Sequence, residues 1–184
     1  MSANATQAAT TSWNIDPAHT TAEFKVKHMM ITNVKGQFSA VTGVVEIDPE
    51  EVANSHVEVS IDASSISTRD AQRDAHLKSP DFFDVEKFPT LSFASTRVTR
   101  KDDGDLAVES NLTIHGVTRK VVFEAEGPSE PAKDPWGNVR IGWSASTKIN
   151  RKDFGLNWNA ALEAGGLLVG DQVTITLDAQ AVKA

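Results

Sequence analysis

Apolar and polar residues alternate along most of this 184-residue chain, the period-two pattern of half-buried strands. In 22–28, Phe24, Val26 and His28 share one face while Glu23, Lys25 and Lys27 share the other. The stretch 37–47 follows, with Gly43 marking a bulge or a close backbone approach. Val57, Val59 and Ile61 alternate with Glu58, Ser60 and Asp62, and then come Leu91 with Phe93, 106–114 and 121–125. Val139, Ile141, Trp143 and Ala145 form a long alternating face, and Val173, Ile175, Leu177 and Ala179 form the last. Between them lie turn residues: Asp48-Pro49, Asp102-Asp103-Gly104, Glu126-Gly127-Pro128, Trp136-Gly137-Asn138 and Gly170-Asp171. One stretch, 69–78, reads as a helix, with Ser67 or Thr68 as N-cap and Pro80 as its stop.

About eight antiparallel strands and one short helix fit a sandwich or a closed barrel. The longer connections, 48–56, 64–90, 126–138 and 155–170, are expected to gather at one end. A barrel of about eight strands is just wide enough to fill itself with side chains or to hold one small ligand. The inward set is rich in Val, Ile, Ala and Phe, so a cavity inside it would be apolar. The length suits one domain over 13–184, preceded by a disordered leader over 1–12 that is rich in Ala, Thr, Ser and Asn.

Composition removes whole classes of chemistry. Cysteine is absent, which excludes disulfides, zinc–thiolate sites, iron–sulfur clusters and thiol nucleophiles. The formal charge of −7 disfavours nucleic acid, and the densest basic stretch, 97–101, runs into Asp102, Asp103 and Asp105 as a solvated turn would. No apolar run approaches the roughly twenty residues of a membrane-spanning helix. Residues 1–12 carry neither a basic nor an apolar signal region. As written the chain is expected in the cytoplasm, with the periplasm or secretion left open for a longer product that has lost its signal.

No catalytic or metal constellation emerges. The histidines His19, His28, His56, His76 and His115 show no zinc-ligand spacing, and H-E-x-x-H is absent. There is no G-x-S-x-G elbow and no phosphate-cradling glycine loop. Arg73-Asp74 and Arg151-Asp153 read as structural ion pairs, and no two acids stand out on a shared inward face as glycoside hydrolysis would need. The chain is therefore expected to be neither an enzyme nor a cofactor protein.

Bulky apolar residues in loops are the pattern's main departure: Phe82, Phe83, Phe88, Phe154, Leu156 and Trp158. They either plug one end of a barrel or line the mouth of a pocket for an apolar ligand. Around them run ordered motifs. The first joins Trp13, Ile15-Asp16-Pro17 and His19 to Phe24, Val26-Lys27-His28-Met29, Val34, Gly36, Phe38 and Gly43. The second is Thr68, Arg73-Asp74, His76-Leu77, Asp81-Phe82-Phe83 and Phe88-Pro89, and the third is Leu112-Thr113-Ile114-His115-Gly116-Val117-Thr118. The last is Ile149-Asn150-Arg151, Asp153-Phe154-Gly155-Leu156, Trp158 and Val169-Gly170-Asp171. In these motifs, taken in order, the chain resembles the YceI-like family, polyisoprenoid-binding proteins with a lipocalin-like barrel.

The resemblance implies an extended, all-β, eight-stranded antiparallel barrel with its short helix near the open end. It implies a long isoprenoid, quinone or related lipid-like chain held inside, and a homodimer. Tail contacts are expected from the inward residues Phe24, Val26, Phe38, Val59, Ile61, Phe93, Ile114, Trp143 and Leu177, and from Phe82, Phe83, Phe154, Leu156 and Trp158 at the mouth. Arg73, Asp74, His76, Asn150 and Arg151 are the candidates for a polar head group. The rival expectation is a stress-related or partner-binding barrel whose own side chains fill its interior.

Overall fold

The computed structural model describes residues 10–184. In chain order it holds β1 (Thr11–Ile15), β2 (Thr21–His28), β3 (Thr32–Phe38), β4 (Val41–Ile47), β5 (His56–Asp62), β6 (Ile66–Ser67), α1 (Ala71–Lys78), β7 (Thr90–Arg100), β8 (Leu106–Ile114), β9 (Val117–Glu126), β10 (Ala132–Lys133), β11 (Val139–Asn150) and β12 (Val169–Lys183). The pairs β1/β2, β3/β4 and β5/β6 are each one strand path interrupted by a short break. With β7, β8, β9, β11 and β12 they make an antiparallel up-and-down barrel of eight paths, closed by the β11–β12 ladder from Arg140↔Val182 to Asn150↔Gln172. The leader expected over 1–12 lies outside the described residues up to position 9. Thr11 and Ser12, however, belong to β1, paired with Ile47 and Glu46.

The three breaks lie side by side, and each has a local cause. Pro17 follows Asp16, whose carboxylate accepts from the Ala18 amide in a turn of 3-10 helix. Ser65 Oγ satisfies the Ala40 amide, and Asp62 caps the 3-10 turn Ala63–Ser65. β12 runs uninterrupted past all of this, because buried Thr20 uses its hydroxyl to replace the missing ladder bonds at Gln180. Gly43 sits in regular register opposite Val59, so it marks a close approach and no bulge. A Cβ there would lie 2.1 Å from the Glu58 carbonyl oxygen, so alanine would part β4 from β5.

Three expectations change. In an up-and-down barrel successive connections alternate between ends, so the four long ones divide two and two. Those at 68–89 and 151–168 share the α1 end with the turns at 29–31 and 115–116, while 48–55 and 127–138 share the opposite end with 101–105. The helix starts two residues late: Arg69 has φ 63°, and Asp70 is the N-cap, accepting from the Arg73 amide. Finally, Arg97 and Arg100 belong to β7, with Val98 between them buried. One inward valine among cations and threonines leaves too little alternation to reveal a strand.

An ion triad ties the open turn before β11 to the β1/β2 break. Arg140 donates from Nη1 to Asp16 (2.6 Å) and from Nε to Asp134 (2.7 Å), and Asp134 also accepts from the amides of Trp136 and Asn138. These bonds hold both carboxyls well below their ordinary range, Asp16 from 3.8 to about 2, with the Arg140 hydrogen bond the largest cause. A depressed folded pKa gives stability that is fully present above the unfolded value and lost as pH falls through the folded one. The melting temperature is therefore expected to hold down to about pH 4 and to fall between there and pH 2. Arg140→Gln should melt lower at neutral pH, because Asp16 and Asp134 each lose a charged hydrogen bond, with a shallower acid limb. Parallel acid limbs in melts of the two proteins would remove the triad from this account.

Candidate functional site: the barrel interior

Residues that point into a filled barrel should be fully buried. Here many inward residues keep partial exposure: Phe24 and Val26 on β2, Phe93 on β7, Trp143 on β11, and Val173, Ile175 and Leu177 on β12. They border a cavity of about 750 Å³ that runs from one end of the barrel to the other. That size falls within the roughly 300–1,000 Å³ of small-molecule sites. The interior is not filled by side chains, which removes the premise of the rival expectation. Outer positions on the same strands, such as Lys25, Gln172 and Asp178, remain exposed, so the alternation separates a lipophilic lumen from a hydrated surface.

Thirteen of the fourteen residues proposed for an apolar tail border this cavity: Phe24, Val26, Phe38, Val59, Ile61, Phe82, Phe83, Phe93, Ile114, Leu156, Trp158, Leu177 and Trp143. Phe154 does not. It is 1% exposed and packed in the core, where its backbone turn brings Gly155 against the His115 ring. The loop aromatics assemble at the α1 end. Phe38 packs against Phe24 (5.9 Å between centroids) and edge-on against Phe83 (5.6 Å). Phe82, Trp158 and His76 form a second cluster with centroids 4.7–5.3 Å apart. Phe88 stands apart from the cavity, packed edge-on against His115, and a Cβ at Gly116 would lie 2.5 Å from its ring.

Of the polar candidates, Arg73, His76 and Arg151 border the cavity, and Asp74 and Asn150 do not. Arg73 and Asp74 do not pair with each other. Asp74 accepts from both the amide and hydroxyl of Thr68 (2.7 and 2.6 Å), and Arg73 donates to the Thr68 hydroxyl and carbonyl (2.8 and 2.9 Å), so both bind α1 to the strand before it. Asn150 caps the 3-10 turn Arg151–Phe154 through the Lys152 amide. His76 bonds Asp81 at 2.8 Å while its ring remains against Trp158.

Arg151 is 3% exposed, and its nearest carboxylate is Asp171 at 3.7 Å, not Asp153. Its guanidinium instead donates to the carbonyls of Gly170, Leu156 and Trp158 (2.9, 2.6 and 2.9 Å) and reaches Val169 at 3.4 Å. Burial pushes its pKa down against the opposing pull of Asp171. An arginine fork aimed at carbonyls is a clasp for the 151–168 loop.

The opposite end has lining residues that the alternation did not single out. Val52 and Leu106 reach the cavity there, beside Glu126, Pro128, Ser129 and Glu130. They lie on or next to irregular loops, where period-two reasoning gives no direction. Among the described residues no three His, Asp or Glu side chains converge as a metal site, and no helix there is long and apolar enough to cross a membrane.

Known proteins place this geometry. A UPF0312 protein of Vibrio cholerae serotype O1 is 40% identical over 139 residues, 76% of this chain and 73% of the relative. The crystal structure of the Campylobacter jejuni YCEI protein superposes with a TM-score of 0.72 at 30% identity, covering 86% of this chain and 90% of that one. A polyisoprenoid binding domain from Saccharophagus degradans, implicated in plant cell wall breakdown, shares the fold with a TM-score of 0.65 at 15% identity over 95% of this chain and 99% of that one. The family model for the YceI-like domain matches residues 13–181, nearly the whole barrel, so the chain belongs to the YceI-like family.

Proposed function

We propose that this protein binds a long-chain isoprenoid, a quinone or a related amphiphile inside the barrel, to store or carry it without transforming it. The observation that supports this most is the cavity itself, about 750 Å³ and bordered by aromatic and branched aliphatic side chains from every strand path. Each Å² of tail surface removed from water there contributes roughly 25 cal/mol, less the cost of ordering a flexible chain. Tail selection should follow length and bore. The binding of polyisoprenoid stated for the Saccharophagus domain agrees with this reading.

In this reading the thirteen bordering residues contact the tail, while Arg73 and His76 offer donors to a head group. Asp74, Asn150, Phe154 and Arg151 shape the walls that hold the others. The homodimer expected from the family is part of the proposal, and light scattering of the pure protein checks it. Protein purified without detergent should release a lipid into organic solvent, identifiable by mass spectrometry. A quinone ligand should quench Trp143 and Trp158, which border the cavity, and a polyprenyl ligand should shift their emission to the blue by displacing water. A lipid-free extract together with unchanged fluorescence would overturn the proposal.

A further inference from the structure

The turn between β2 and β3 contradicts ordinary hairpin chemistry. Met29 and Met30 have φ values of 52° and 59°, and the Ile31 amide donates to the His28 carbonyl at 3.1 Å. Two positive φ angles at the centre of a hairpin favour Asn-Gly, so two methionines there cost backbone energy. They gain no burial in exchange: Met29 is 40% exposed, Met30 65% and Ile31 73%. Leu167 on the neighbouring loop is 43% exposed, and the Met29 amide is bonded to the Leu168 carbonyl at 2.7 Å. Four of the large exposed apolar residues thus share one tip.

The strands behind that tip are cationic in an acidic protein. Residues 24–45 contain Lys25, Lys27 and Lys35 and not one Asp or Glu, although the whole chain carries −7. Lys25 stands directly across from Lys35 in the β2–β3 ladder, a like-charge pair that ordinarily destabilises a sheet. Among the described residues no carboxylate pairs with any of the three. An apolar tip backed by unpaired lysines is the pattern that places side chains in the acyl boundary and cations against anionic head groups. The tip also adjoins the lumen, since Lys27, His28 and Leu168 border the cavity.

The geometry points to the β2–β3 hairpin, with Leu167 beside it, as a docking surface for an anionic lipid bilayer. The barrel inclines its Lys25–Lys35 face onto the head groups and presents the cavity's α1 end to the membrane. This rests on the lipid-binding reading above, because docking there serves a ligand that enters from, or returns to, a bilayer.

The full chain is floated with vesicles of phosphatidylcholine, with and without phosphatidylglycerol. Binding should require phosphatidylglycerol and weaken with added salt, as screening shortens the reach of the lysines. Lys25→Gln/Lys35→Gln removes two cations, each contributing about fivefold near an anionic surface, so binding should fall roughly 25-fold. Met29→Asn/Met30→Gly gives the turn its preferred residues and should raise the melting temperature while lowering vesicle binding by about tenfold. Opposite movement of stability and docking is something a purely structural tip would not show. None of these four residues borders the cavity, so each variant should keep the parent's extracted lipid.

Equal binding to both vesicles, or unaltered binding by both variants, overturns the inference. A dimer that the Asn-Gly variant turns into a monomer, with vesicle binding intact, also overturns it and makes the tip an interface between copies. Lipid in the extract without vesicle binding defeats docking alone. Vesicle binding with a lipid-free extract supports docking and defeats the lipid-storage reading instead.

Discussion

Replacing Arg151 with methionine is expected to lower stability by about 4 kcal/mol, or about 10 °C in melting temperature for a domain of this size. The side chain is buried at 3% exposure, and its removal strands the carbonyl oxygens of Leu156, Trp158 and Gly170 that have been turned inward to meet it. Buried acceptors left without donors are among the few surface-remote mechanisms that produce losses of this size. Arg151→Lys should recover less than half, because one ammonium on a flexible stem cannot span carbonyls from both sides of the loop. The loss should be local before it is global. Amide exchange should accelerate first over 155–170, and Trp158 should become more exposed. Thermal melts and exchange read by mass spectrometry check both, and a lysine variant as stable as the parent would show that the fork geometry is unimportant.

The other large effect is expected on binding. Trp143 lies midway along β11, opposite Ala179 on β12, and faces the lumen with partial exposure. Trp143→Asp removes a large apolar wall and sets a carboxylate against the proposed hydrocarbon. Desolvating that charge and losing the indole contact should weaken an isoprenoid ligand by about 3 kcal/mol, more than a hundredfold. The empty protein should suffer less, because an open cavity allows water to solvate the carboxylate. The comparison is between ligand titrations and melts of ligand-free protein. Affinity equal to the parent's would remove Trp143 from the tail-binding wall.

Much of the barrel was legible because a strand with one wet face must alternate. Phe24/Val26, Val59/Ile61, Ile141/Trp143 and Ile175/Leu177 each appear at spacing two, and each faces inward. Where charge hid the period, as around Val98, the strand was lost to a turn. Adjacent Arg and Asp residues were misleading for a related reason. Adjacency in the chain does not make two opposite charges partners: Arg73 and Asp74 each bond Thr68 and not each other, and Arg151 reaches past Asp153 to the loop carbonyls. The helix cap at Asp70 was hidden because nothing local announces that Arg69 adopts a positive φ.

Where the alternation is clear, the amino-acid order alone determined which residues face in and which face out, since that depends on a period of two and needs no knowledge of a partner strand. It also excluded thiol chemistry and, through the order of its motifs, identified the family. Tertiary structure decided what lies between the inward faces. Whether opposing walls meet or leave a cavity of about 750 Å³ depends on how eight strand paths close around one axis, a distance across the barrel that no single strand encodes. It decided as well that the loops divide between two ends, that buried Arg151 serves the backbone, and that Met29, Met30, Ile31 and Leu167 meet at one exposed tip. Each of these is a relation between segments far apart in the chain, and only the closed barrel brings them within reach of one another.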